Sequence, residues 1–213
     1  MVRFVSFDFN GTLADARAQY DKFWNVEMIK IYAEQNGISF GEAYKRVEKE
    51  YKTVSKRSVL WHDIDYWIER LKLKTDWKKV FDRLIKEIEV FPDVVPALKK
   101  LAKKYKLIVI TNANEWIVKR FLEINGLDIL FDRIFSSSSH FGYGYKSKEV
   151  YISVLKELGI GAGDIVHVGD SYVFDFLVPR RWVGIDAFYL DRKGKIKKGR
   201  FVVSNLLEFA EKI

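Results

Sequence analysis

The chain has 213 residues, 48 % of them hydrophobic and 15 % aromatic, which suits one domain, or a domain with an insertion, around a sizeable core. The absence of cysteine excludes disulfides, a thiol nucleophile and a cysteine metal site. The 37 basic residues against 29 acidic ones leave a net charge of +8, which admits an anionic ligand. The opening MVRFVSFDFNG reaches a charge too early for a signal peptide, and no apolar run is long enough to span a bilayer. A cytoplasmic protein with no membrane partner is expected.

In chain order, VRFVSF at 2–7 is a nearly continuous apolar run, the pattern of a parallel strand buried on both faces. Residues 16–88 carry no strand signal. Their apolar residues recur at helical spacing over 16–37, 39–55, 62–73 and 76–90, and SFGE at 39–42 has capping-box spacing. So long a stretch exceeds an ordinary crossover and predicts a separate helical subdomain. Further strands are predicted at 106–111, 132–137, 164–170 and 184–191, and helices at 92–105, 114–126, 146–160 and 206–213. Strand–helix alternation implies a doubly wound, Rossmann-like α/β core of residues 1–15 and 89–213, with residues 16–88 inserted. RKGKIKKGR at 192–200 is nearly acid-free; its two glycines predict a surface hairpin or loop. It lacks interleaved aromatics, so no nucleic-acid partner is expected. The sequence gives no oligomeric state.

Chemistry-bearing residues gather at strand ends. Asp8 opens DFNGTL directly after the first strand, where open α/β sheets bind ligands. Gly11 permits a tight turn and Thr12 can cap it. Thr111 and Asn112 end the second strand, a place that a helix N-cap would also occupy. Lys146 precedes a predicted helix in YGYKSKEVY, with Lys148 as its competitor. GDSYVFD at 169–175 sets Asp170 and Asp175 on the turn after the fourth strand. Magnesium takes hard oxygen ligands, commonly one or two carboxylates. A solvated turn acid describes Asp175 better than Asp170.

These four motifs, in this order and each at the end of its own strand, resemble those of the haloacid dehalogenase (HAD) superfamily, and the resemblance covers the whole chain. It implies Asp8 as nucleophile, with Thr111 and Lys146 on the phosphoryl oxygens. It also implies Mg2+ held by Asp8, the Asn10 carbonyl and Asp170, and a supporting role for Asp175. The helical insert matches members in which a cap closes over the site and selects the substrate. Tyr20, Phe23 and Trp24 are candidates for the pocket wall, and Asn112 and Gly11 for substrate contact. His62, His140 and His167 have no partner pattern and read as structural. Family phosphatases carry a second aspartate two residues after the nucleophile; here Asn10 stands there, and an amide transfers no proton at neutral pH. The resemblance therefore implies a magnesium-dependent phosphatase of a small phosphorylated metabolite, acting through an aspartyl-phosphate on Asp8. The alternatives are a 2-haloacid dehalogenase-type or phosphonatase-type hydrolase, and a non-catalytic phosphate-binding homologue.

Overall fold

The computed structural model describes residues 2–196 and 199–213. The strands β1 (Phe4–Phe7), β2 (Lys106–Thr111), β3 (Phe131–Ser136), β4 (Ile165–Gly169), β5 (Asp186–Leu190) and β6 (Val202–Val203) form one parallel sheet. Its order is β3-β2-β1-β4-β5-β6. The five predicted strands are in place. The two-residue β6 is an addition, too short to leave a periodic signal.

Between β1 and β2 the chain is helical: α1 (Arg17–Lys22) runs through a π-helical stretch, Phe23–Glu27, into α2 (Met28–Asn36). Then come α3 (Phe40–Tyr51), α4 (Val59–His62), α5 (Ile64–Arg70) and α6 (Trp77–Ile85). The Ser39 hydroxyl accepts from the Glu42 N–H at 3.2 Å, as the capping spacing predicts. Glu42 turns instead to Arg46, at 2.5 Å. Helices α7 (Val94–Leu101), α8 (Glu115–Ile124), α9 (Lys148–Leu158) and α10 (Leu206–Lys212) alternate with the later strands.

Both faces of the sheet are covered, which explains the unbroken apolar runs. Val5, Phe7, Val109 and Val168 pack with Leu98 and Leu101 of α7 and Phe209 of α10. Phe4, Ile108, Ile110 and Ile165 pack on the other side with Val150, Tyr151 and Val154 of α9. Strand β1 lies between β2 and β4, and Phe7 stands level with Val109 and Val168. The chain therefore departs to opposite sides from this centre, the point at which doubly wound sheets open a crevice at their carboxyl ends.

A second helical element, Tyr172–Val183, is π-helical and was not predicted. Pro179, Arg180 and Arg181 break its apolar periodicity. The Ser171 hydroxyl caps it by accepting from the Phe174 N–H at 3.2 Å.

The two connections to the helical segment run side by side. Ala14 and Val90 form an antiparallel bridge, and the Phe91 N–H donates to the Leu13 carbonyl at 3.1 Å. The segment also touches the rest of the chain elsewhere. Arg120 of α8 donates to Asp82 of α6 at 2.6 Å, and the Trp77 and Trp116 rings meet edge to face, centroids 5.2 Å apart. Gly144 lies so close to the Arg57 backbone that a Cβ would not fit between them. Among the described residues no helix is long and apolar enough to cross a membrane.

Within the helical segment Trp67 is fully buried. It meets Tyr51, Trp61 and Tyr66 edge to face, and its indole N–H donates to the Trp61 carbonyl at 3.2 Å. Trp67→Ala is expected to cost about 3–5 kcal/mol in urea unfolding, the range for emptying a buried aromatic site. A loss below about 1 kcal/mol would show that the segment repacks without it.

Candidate active site

The register of β1, β2 and β4 brings three strand ends to one place. Asp8 follows β1, Thr111 ends β2 and Asp170 follows β4, and all three line one cavity of about 250 Å3. Asn10, Tyr20, His62, Asn112, Lys146, Ser171 and Asp175 complete its wall with Ala113.

The centre of the site is a buried ammonium. Lys146 is 1 % exposed; its Nζ donates to Asp8 Oδ1 at 2.5 Å, to the Ile110 carbonyl at 3.3 Å and to Asp175 Oδ1. Burial alone would lower the lysine pKa, but the Asp175 and Asp8 charges outweigh it and raise it, so the ammonium persists. Lys148 is exposed and reaches only Glu149, at 3.8 Å. Of the two lysines, Lys146 and not Lys148 lines the cavity. Asn112 helps to place Lys146: its Oδ1 accepts from the Lys146 backbone N–H at 2.7 Å and from the Ser137 hydroxyl at 3.2 Å. The Thr111 Oγ1 accepts from the Ala113 N–H at 3.1 Å, which leaves its own proton to donate.

Asp175 corrects the solvated-turn reading, since it is fully buried whereas Asp170 is half-buried. Its Oδ2 accepts from the Ser171 N–H at 2.9 Å, and its Oδ1 lies 3.1 Å from His167 Nε2. Burial would raise its pKa, but Lys146 and the His167 hydrogen bond overcome that and hold it below the ordinary value. An ionised Asp175 only accepts, so His167 Nε2 carries the proton and Nδ1 accepts from the Ser6 hydroxyl at 2.8 Å. The Tyr151 hydroxyl, 3.1 Å from Nε2, donates to the Phe174 carbonyl at 2.8 Å. His167 is structural, as expected, and its structural role is to brace the carboxylate that braces Lys146.

Asp8, Asp170 and Asp175 offer carboxylate oxygens that lie within 4.8 Å of one another. One ammonium pairs with Asp8 and Asp175, while Asp170 has only the Coulombic pull of Lys146 and Arg17, so negative charge is in excess. Asp8 records the imbalance: burial, against the pull of Lys146, pushes its pKa up to about 7, with Asp175 and Asp170 adding to the rise. Asp170 is raised as well, by burial first and then by Asp175. Gly11, at φ +87°, has no Cβ where the Asp170 carboxylate lies; a side chain there would collide with it. The oxygens of Asp175 are already engaged. Asp8 and Asp170 are therefore the pair that fits a hard divalent cation, which takes oxygen ligands and would supply the missing charge.

Four predicted residues behave differently from the rest: Gly11 lines a neighbouring cavity with Asp170, Phe23 is fully buried against Phe81, and Trp24 and Thr12 depart as well. Trp24 does not line the Asp8 cavity. It lines a separate one of about 600 Å3 with Tyr51, Trp61 and Trp67, because its ring points away from the strand ends to meet Tyr51, centroids 6.0 Å apart. The Thr12 hydroxyl is buried without a hydrogen-bond partner and so does not cap the turn. The turn is held instead by Arg192, half-buried at the start of the predicted basic loop. Its guanidinium donates to the Gly11 carbonyl at 3.2 Å and the Thr12 carbonyl at 2.7 Å, and pairs with Asp93 at 2.8 Å. Position alone distinguishes Arg192 from the exposed residues 193–196 that follow it, and the sequence pattern shows no other sign. Lys197 and Lys198 of that loop lie outside the described residues.

A family model for haloacid dehalogenase-like hydrolase matches residues 2–178. The chain belongs to the haloacid dehalogenase-like hydrolases. Over 88 residues it is 32 % identical to the 5-amino-6-(5-phospho-D-ribitylamino)uracil phosphatase YigB of Escherichia coli (strain K12), a stretch equal to 41 % of this chain and 34 % of that protein. The match thus spans about a third of the length of the curated relative. A HAD phosphatase structure from Thermococcus onnurineus superposes with a TM-score of 0.80 at 23 % identity, covering 99 % of this chain and 97 % of that one. A 2-haloacid dehalogenase from Pseudomonas syringae pv. Tomato DC3000 superposes at 0.73 with 20 % identity, covering 100 % and 98 %. At these identities the likeness is one of fold, and the six-stranded parallel sheet flanked by helices is the HAD arrangement.

Two predictions follow the geometry. The Asp8 carboxyl titrates near 7 when folded, against an ordinary 3.8. The native state thus binds the extra proton between these values, and stability falls as pH rises through that window. In chelated buffer above pH 7, Asp8→Asn is expected to be more stable than the wild type, by on the order of a few kcal/mol. The gap should close as pH falls toward 4 in urea unfolding, and a gap that widens on acidification would contradict the assignment. Arg192→Leu removes a half-buried cation from Asp93 and two loop carbonyls. It should cost about 3–5 kcal/mol by the same measurement.

Proposed function

We propose that this HAD-like hydrolase is a magnesium-dependent phosphatase of a small phosphorylated metabolite, with Asp8 as the nucleophile. The observation that carries the reading is the charge imbalance at the strand ends. Lys146 satisfies Asp8 and Asp175, while Asp170 forms no ion pair among the described residues. A halide-displacing site has no use for a further carboxylate aimed beside the nucleophile. A phosphoryl-transfer site uses it to hold a cation. The phosphatase name of the Escherichia coli relative and of the Thermococcus onnurineus structure supports the same reading.

Asp8 and Asp170, with the Asn10 backbone carbonyl, would hold Mg2+, which would supply positive charge to the phosphoryl oxygens. Asp8 attacks phosphorus in line, and the leaving oxygen departs with its bonding pair, giving an aspartyl-phosphate. Lys146, already bonded to Asp8 Oδ1, and the free proton of Thr111 stabilise the charge that develops on the transferred group. Asp175 holds Lys146 in place. Water then attacks the aspartyl-phosphate and releases inorganic phosphate. Residues 16–88 act as a cap, and the paired linkers around Ala14 and Val90 act as its hinge. Asn112 borders the phosphoryl site, Gly11 the Asp170 carboxylate, Tyr20 the leaving group, and Trp24 the wider cap cavity.

The dehalogenase reading keeps one specific support, Asn10, which offers no carboxyl at the acid–base position. Chelation separates the two. Hydrolysis of p-nitrophenyl phosphate is expected to need magnesium and to fall at least about a thousandfold in Asp8→Asn. Halide release from a 2-haloacid that is indifferent to chelator, with no phosphate release, would establish the dehalogenase reading instead.

A further inference from the structure

Asn10 is not a spare acid–base group waiting for a proton. Its Oδ1 accepts from the Ala16 N–H at 2.9 Å and thereby fixes the start of the linker into α1. The cavity must find its proton donor elsewhere. Lys146 is spent on two carboxylates, and Asp170 is a candidate cation ligand. Two uncommitted titratable groups remain in the wall among the described residues, Tyr20 and His62. Burial lowers the His62 pKa, although a hydrogen bond to the Lys56 backbone acts the other way. That burial works against the protonated imidazolium a leaving-group acid would need.

Tyr20 is placed differently. Its hydroxyl is buried and has no hydrogen-bond partner among the described residues. An unpaired buried hydroxyl costs about 1–3 kcal/mol, so its persistence calls for a partner that arrives with the ligand. The ring is positioned by packing, edge to face on Phe81 with centroids 5.2 Å apart, and not by the hydroxyl. Burial and then the Asp8 charge keep the phenol protonated.

We infer that Tyr20 is a catalytic residue, its hydroxyl donating to the bridging oxygen of the phosphate ester in place of the carboxylic acid that position 10 lacks. The inference rests on the phosphatase reading above. As Asp8 bonds to phosphorus, the bond from phosphorus to the bridging oxygen breaks and that oxygen takes the electron pair. The Tyr20 proton moves to it, and the alcohol leaves with Tyr20 as phenolate. The phenolate then takes a proton from the water that attacks the aspartyl-phosphate, and phosphate leaves with Asp8 and Tyr20 restored. The high proton affinity that makes Tyr20 a weak acid is matched to an alkoxide, which binds a proton more tightly still, and makes the phenolate a strong base for the second step.

The test compares benzyl phosphate, whose alkoxide needs a proton, with p-nitrophenyl phosphate, whose leaving group does not. Tyr20→Phe is expected to cost benzyl phosphate turnover about a hundredfold more than p-nitrophenyl phosphate turnover, a typical acid–base contribution. In an Asn10→Asp background, where a carboxyl is restored, that difference should shrink to within about threefold. The thermal midpoint of Tyr20→Phe should be unchanged or higher, because the hydroxyl removed has no partner in the folded protein. An equal loss on both esters, or a loss that Asn10→Asp does not relieve, would make Tyr20 a packing residue and overturn the inference. So would a leaving-group-dependent loss in His62→Gln that Asn10→Asp relieves, with none in Tyr20→Phe. Absence of magnesium-dependent turnover on either ester in the wild type would overturn the phosphatase reading itself, a result distinct from the others.

Discussion

The ion triad of Asp8, Lys146 and Asp175 is the constraint around which the site is built. A single ammonium in a dry interior needs a carboxylate beside it, and here two compete for it: Asp175 holds the charge pair and Asp8 adds the excess negative charge that burial penalises. Each member comes from a different part of the chain: the end of β1, the loop before α9, and the helical turn after β4. The triad can form only if the strands are in register and that loop folds back over them. Its second row extends the demand inward, from Asp175 through His167 to Ser6 in the centre of β1. The fold's correctness and the site's chemistry are thus tested by the same hydrogen bonds.

The same economy of position appears in the turn after Asp8. Gly11 yields space to Asp170, Arg192 ties down the Gly11 and Thr12 carbonyls, and Asn10 ties down Ala16. The proposed mechanism needs Asp8 held still beneath a segment that closes over it, and these contacts would serve the first need without restricting the second. On one side Asp93 and Arg192 anchor the turn to the sheet edge. On the other, the bridge between Ala14 and Val90 leaves the helical segment attached through two antiparallel connections. Closure in this class shields the reaction from water, and connections of this kind confine the motion to one axis.

Much of this was legible in the residues. Strands buried on both faces read as unbroken apolar runs, so β1, β2 and β4 were found with little error, and the strand-end positions of Asp8, Thr111 and Asp170 followed, with Lys146 in the loop before α9. What stayed hidden depends on direction and not on composition. Asp170 and Asp175 are the same residue type five positions apart, and only the π-helical turn beginning at Tyr172 decides which faces inward. Trp24 sits one turn beyond Tyr20 in the sequence, but the π-helical stretch after Lys22 changes the angular step and sends its ring into the other cavity. Arg192 opens a run of exposed basic residues and shares their appearance. His167 looked like an isolated core histidine because its partners, Ser6 and Asp175, are contributed by another strand and a later helix.

The bond from the Asn10 amide to Ala16 has one further consequence. A carboxylate at that place would grip the linker strongly when ionised and weakly once protonated, so each proton that passed through it would tug on the hinge. The neutral amide of Asn10 accepts the same hydrogen bond at every stage of turnover. On the proposed function, this would insulate the timing of closure from the proton traffic of the reaction.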